Sequence, residues 1–135
     1  MPIGFERNDD RRRITLTATG TVTRDEALAV IDRQVAEGVW AYGIVFDIRS
    51  ADALPKPSEL FEILDYVRRS VREYGPRGAL AIVAEPSQSH QGVRTYVSLS
   101  DPSRQFATFT DVHEAVRWLE EQPPERPSDT SAYRR

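Results

Sequence analysis

The run Ile44-Val45-Phe46-Asp47-Ile48-Arg49-Ser50 ends an apolar stretch with an acid, a base and a hydroxyl, shortly before Pro55 and Pro57. Open α/β sheets place their working surface at the carboxyl ends of buried strands, so these three side chains are the first candidates for chemistry. A second apolar run, Ala79 to Ala84, delivers Glu85 and Ser87, with His90 and Arg94 close behind, and Thr110 ends a third. An acid, a histidine and a serine could form a nucleophilic relay. No Gly-x-Ser-x-Gly turn occurs, however, and neither Ser50 nor Ser87 occupies a strand-to-helix nucleophile elbow, so no catalytic residue is assigned. Asp47 and Arg49 are two apart and share one face of a regular strand, a spacing that favours an internal ion pair over substrate recognition.

His90 and His113 occur singly and the chain has no cysteine, which excludes disulfides and thiol chemistry and leaves no metal set. His90 is the better placed of the two to face a ligand, because strand-to-helix turns also present amide donors. Gly20 and Gly38 are isolated, and Gly75-Pro76-Arg77-Gly78 joins a helix to a strand, the wrong direction for a phosphate cradle. No cofactor is expected. Arg11-Arg12-Arg13 follows Asp9-Asp10 between two β-like segments and reads as a solvated hairpin tip. It lacks the aromatic interleaving of a nucleic-acid surface, so no nucleic-acid partner is expected.

The elements that must position these groups follow from periodicity. Ile3/Phe5/Arg7 and Ile14/Leu16/Ala18 alternate as a hairpin of half-buried strands. Thr19-Gly20-Thr21 breaks that pattern, and Thr23-Arg24-Asp25-Glu26 is a capping box opening a helix whose stripe is Ala27, Leu28, Ile31 and Val35, with Gly38 as its stop. Trp40 to Ile48 reads as a strand buried on both faces or at the sheet centre. The segment Ser50 to Pro57 reads as a loop leading to a second helix from near Ser58, with Leu60, Phe61, Leu64, Val67 and Val71 as its core stripe and Tyr74-Gly75-Pro76 as its end. Ala79 to Ala84 is a fourth strand. A shorter helix is expected from about Ser89 to Leu99, with Val93, Tyr96 and Val97 on one side, then a fifth strand from Gln105 to Phe109. Asp111-Val112-His113-Glu114 reads as a second capping box for a helix carrying Val112, Ala115, Val116 and Leu119.

With 135 residues and a formal charge of -3 spread over intermixed acids and bases, the chain fits one domain with an ordinary core. Residues 1–122 are expected to form it, and 123–135, rich in Pro, Ser, Thr, Asp and Arg, to be a disordered tail. No signal peptide is read at the amino terminus, and no apolar run approaches the roughly 20 residues of a membrane span. A soluble cytoplasmic protein without an integral membrane segment is the expectation. The fold class is α/β: one mixed, mostly parallel sheet of about five strands, an antiparallel first strand, and helices mainly on one face. Helices on both faces remain the alternative.

The pattern resembles SpoIIAA-like single-domain bacterial proteins of the STAS and SEC14 type over nearly all of residues 1–122. The resemblance rests on the hairpin, on Gly20-Thr21-Val22-Thr23-Arg24-Asp25-Glu26, on Val45-Phe46-Asp47-Ile48-Arg49, on the apolar fourth strand and on Glu114-Ala115-Val116-Arg117-Trp118-Leu119. It implies an interaction or ligand-binding module, and a noncatalytic module with an unknown protein partner is the expectation; a second copy of the chain is a further candidate partner because a small domain exposes much surface. In the anti-sigma-factor antagonists of the STAS group, a serine of an Asp-Ser loop before the second helix is phosphorylated. Here Leu54-Pro55-Lys56-Pro57-Ser58-Glu59 has no Asp-Ser pair, and the nearest hydroxyls are Ser50 and Ser58. A phosphate on Ser58 would suit a helix amino terminus, although serine there ordinarily serves as an N-cap. The SEC14 side of the resemblance implies a second function, carriage of a small apolar ligand or lipid in a crevice lined by Tyr42, Phe61, Tyr66, Tyr74, Tyr96 and Trp118, each of which could equally fill core. A third, an enzyme built on Asp47, Arg49 and His90, requires all three in one polar pocket. The candidate partner- or ligand-binding residues are therefore Asp47, Arg49, Ser50, Ser58, His90, Arg94 and Tyr96.

Overall fold

The computed structural model describes residues 3–86 and 105–122. Alternating side chains make β1 (Ile3–Asn8) and β2 (Arg13–Thr21) an antiparallel hairpin, with Phe5 opposite Leu16 and Arg7 opposite Ile14. α1 (Arg24–Ala36) opens with the expected capping box: the Thr23 hydroxyl accepts from Glu26 N–H, and the Glu26 carboxylate accepts from Thr23 N–H at 2.8 Å. β3 (Gly43–Ala53), α2 (Pro57–Tyr74), β4 (Leu80–Val83), β5 (Phe106–Phe109) and α3 (Val112–Glu120) follow. The sheet order is β1-β2-β3-β4-β5, and every pair after the first is parallel. The helix expected near Ser89 to Leu99 and the tail expected over 123–135 lie outside the described residues.

The apolar runs of β3 and β4 are continuous because both faces of these strands are covered. Ile44 and Ile48 join Ile14, Leu16, Leu80 and Ile82 in a buried layer on one face, with Val30 of α1 packed into it. Val45, Ala81 and Val83 point the other way, into α3, where Ala115 is buried among Val112, Val116 and Leu119. Right-handed crossovers in a sheet that grows in one direction keep α1 and α2 on the same side. They pack on each other through Ile31, Ile63 and Val67. α3 follows the last strand, joins no second one, and closes the opposite face.

Several local expectations are corrected. Ser50 to Ala53 continue β3, because Thr19, Gly20 and Thr21 of β2 pair with Ser50, Ala51 and Ala53 across two register irregularities. Gly20 supplies the left-handed backbone, φ 66°, that such an irregularity takes, so Thr19-Gly20-Thr21 bends the strand without ending it. Lys56 is the N-cap of α2, placing Ser58 inside its first turn. Phe61 leaves the core stripe, and Ile63 takes a place in it. Asp111 caps α3 by accepting from His113 N–H at 2.9 Å, a single cap in place of the reciprocal box expected from Glu114. Gly78 seats the turn after α2: a Cβ there would lie 2.5 Å from the carbonyl oxygens of Ala41 and Tyr42.

Candidate functional site

The carboxyl edge of the sheet is built by the parallel register itself, in which Asp47 of β3 lies beside Val83 of β4, and Val83 beside Phe109 of β5. Asp47 points to the α3 face at its open margin. Its carboxylate grips Arg49 as a fork, accepting from Nε at 3.0 Å and from Nη2 at 2.8 Å, and it also accepts from the Arg49 backbone N–H at 3.1 Å. Hydrogen bonding from Arg49 holds the Asp47 carboxyl below the ordinary carboxylate range, against the upward push of desolvation. The same fork raises the Arg49 guanidinium, and the charges of Glu85 and Asp111 add to it. Asp47 and Arg49 are thus each other's principal partner.

The remaining candidates do not converge into a pocket with this pair. Ser50 is exposed on the continued β3, and Ser58 is exposed in the first turn of α2. Thr110 is exposed after β5, and Asp111 is committed as a cap. His90, Arg94, Tyr96 and Ser87 lie outside the described residues. No cluster of three metal-ligating side chains occurs among the described residues. The described members of the aromatic set do not all come together. Tyr42 is buried and donates to Asp9, Tyr66 donates to Asp32, Tyr74 tilts against Trp40, and Trp118 lies on the far face beside Phe109. Tyr66 and Tyr74 share an open pocket of about 320 Å³ between α1 and α2, polar at Asp32, Arg69 and Glu73, and Tyr42, Phe61 and Trp118 are not part of it.

A different surface stands out. The exposed large apolar side chains among the described residues are Leu54, Phe61 and Tyr74, all on α2 or on the segment leading into it, with Phe61 the most open at 67%. α1 borders this helix through the Arg24–Glu62 ion pair at 2.6 Å and through Tyr66 on Asp32. The signal for Phe61 was present in the spacing. Leu60, Ile63, Leu64, Val67 and Val71 already complete an inward stripe, which leaves Phe61 on the outward row with Asp65 and Arg68.

Among solved structures, the chain is similar to an uncharacterised protein of the DUF3478 family with a SpoIIAA-like fold from Shewanella loihica PV-4. The TM-score is 0.60, with 22% identity over 87% of this chain and 91% of that one. It is also similar to the anti-sigma factor antagonist SpoIIAA in its unphosphorylated form, with a TM-score of 0.56 and 13% identity over 89% of this chain and 99% of that one. The Bacillus cell fate determinant SpoIIAA in the phosphorylated form gives a TM-score of 0.52 and 16% identity, covering 86% of this chain and 98% of that one. No family model and no curated protein matches the sequence. No helix among the described residues is long and apolar enough to cross a membrane. The five-stranded mixed sheet, the TM-scores and the coverage of nearly whole neighbour chains show that this chain has the α/β SpoIIAA-like fold.

Proposed function

We propose that the chain is a noncatalytic, STAS-like protein-interaction module with a regulatory role, and that it meets its partner through the start of α2 and the segment leading into it. The observation that carries this reading is the exposure of Phe61 and Leu54 on an element whose inward stripe is already complete. A large aromatic held in water on a rigid helix costs apolar hydration that a partner's surface would remove. Two further points support it. One fold neighbour is by its name an antagonist of an anti-sigma factor, a role exercised on another protein. The fork between Asp47 and Arg49 pairs the two groups with each other, the arrangement of a structural clasp.

Affinity capture from native extract with the wild-type chain and with Phe61→Ser tests the proposal. A protein retained in stoichiometric amount by the wild type and lost, by about tenfold or more, with Phe61→Ser supports it. Equal retention by Phe61→Ser and by the Leu54→Ser/Phe61→Ser double variant contradicts it. Native mass spectrometry of gently purified chain addresses the carrier reading: a stoichiometric lipid or metabolite would replace the interaction module.

A further inference from the structure

At the opposite end of the sheet, where the parallel strands begin, an open cleft of about 310 Å³ lies between the β1–β2 turn and the end of α3. Arg11, Arg12 and Arg13 line it, the backbone at Gly43 and Gly78 forms part of its wall, and Asp10 and Glu120 are its carboxylates. The guanidiniums there are weakly committed. Arg11 and Arg13 both approach Glu120, at 3.9 and 3.6 Å, which is ion pairing beyond hydrogen-bond reach. Arg12, in the left-handed region at φ 50°, lays its guanidinium over the Tyr42 ring at 5.1 Å, a contact that leaves its N–H donors unused. Asp9, the neighbouring carboxylate that could have neutralised the triplet, is taken by Arg7 and by the Tyr42 hydroxyl at 2.9 Å. Gln122 occupies the Trp118 carbonyl at 3.0 Å, so one of the acceptors at the end of α3 is already satisfied.

From this arrangement we propose that the cleft is a binding site for a small, multiply charged oxyanion, a phosphate ester or a polycarboxylate, held by guanidinium forks from Arg11 and Arg13 with Arg12 alongside. Guanidinium forks match carboxylate and phosphate oxygens in bidentate geometry. One carboxylate shared loosely between two arginines is an exchangeable occupant of such a position. The three guanidiniums of the lining stand against the two carboxylates of Asp10 and Glu120, which leaves the cleft one positive charge in excess. The site is independent of the α2 surface, since α2 begins at the carboxyl edge of the strands and the cleft lies at their amino ends.

The test is calorimetric titration of the full chain at fixed ionic strength with pyrophosphate and, separately, with citrate. The wild type is expected to bind at least one probe, and a preference for pyrophosphate or citrate assigns the phosphate or the polycarboxylate class. Arg11→Ala, at an exposed position, is expected to weaken binding about tenfold or more. Arg13→Ala is expected to do the same, and because Arg13 is more buried its thermal melt is recorded alongside. Glu120→Gln is expected to tighten binding several-fold by releasing both guanidiniums and removing a like charge. Phe61→Ser leaves anion affinity unchanged, and Arg11→Ala leaves partner capture unchanged, so this proposal and the preceding one fail separately. Absence of binding to both probes, equal affinity in Arg11→Ala, or weaker binding in Glu120→Gln overturns it.

Discussion

If the Asp47–Arg49 fork is a structural clasp, its two members must be coupled energetically, and the coupling must fade in acid. Asp47 has a side chain only 14% exposed and accepts three hydrogen bonds from one residue, while Arg49 is about a third open to water, which screens its charge. An exposed pair contributes at most about 1 kcal/mol, and charge-assisted bonds to a half-buried carboxylate somewhat more. Asp47→Ala should therefore cost about 1 kcal/mol, since Arg49 can turn to solvent and to the field of Glu85 and Asp111. Arg49→Ala should cost more, about 2 kcal/mol, because it strands the half-buried carboxylate. The double variant should cost no more than Arg49→Ala alone, a coupling of about 1 kcal/mol in a double-mutant cycle. Urea denaturation at neutral pH measures it. Asp47 has a folded pKa below its unfolded value, so its contribution is fully present above the unfolded carboxylate pKa of about 4 and is lost as pH falls through the folded value. A coupling within about 0.3 kcal/mol of zero, or one that grows as the pH falls, would refute the clasp.

Four other outcomes follow from the packing. Ile82→Ala, at a side chain 1% exposed in the centre of the sheet, should lose about 3 kcal/mol in urea melts. Phe61→Ala should change the same melt by no more than about 0.5 kcal/mol, and a core-sized loss there would return Phe61 to the interior. Gly78→Ala drives a Cβ into two backbone carbonyls and should lower stability by about 3 kcal/mol, read as a fall in thermal midpoint by circular dichroism. Thr23→Ala removes half of the capping box and should cost about 1 kcal/mol in the same assay.

What the sequence made legible was whatever depends on short-range pattern. Thr23 and Glu26 meet as their spacing requires, the Tyr74-Gly75-Pro76 signal ends α2 at Tyr74, and the two continuous apolar runs become the strands covered on both faces. Contacts between distant segments were harder to read. β3 reaches Ala53 because β2 supplies partners for Ser50 and Ala51, a pairing invisible in the local polarity of Arg49-Ser50-Ala51-Asp52. Val30 and Gln34 lie outside the stripe read for α1 yet are buried, Val30 in the core of the sheet and Gln34 with its carbonyl accepting from Arg77 at 2.6 Å. Arg77 itself lies over Trp40, whose indole N–H donates to the Gly75 carbonyl. The sequence reads the arginine triplet as a solvated hairpin tip; Arg11 and Arg12 are exposed in the turn, whereas Arg13 opens β2 with a side chain only 18% exposed. That the tip faces the end of α3 across a cleft emerges only once the strands are placed side by side.

On the proposed function, the start of α2 is the surface through which this SpoIIAA-like domain acts. Hydrogen–deuterium exchange of the chain, alone and bound to the protein it captures, tests this most directly. New protection is expected over residues 54–62, with the backbone of β4 unchanged. Protection confined to α3 or to the outer edge of β1, with 54–62 exchanging as in the free chain, would contradict it.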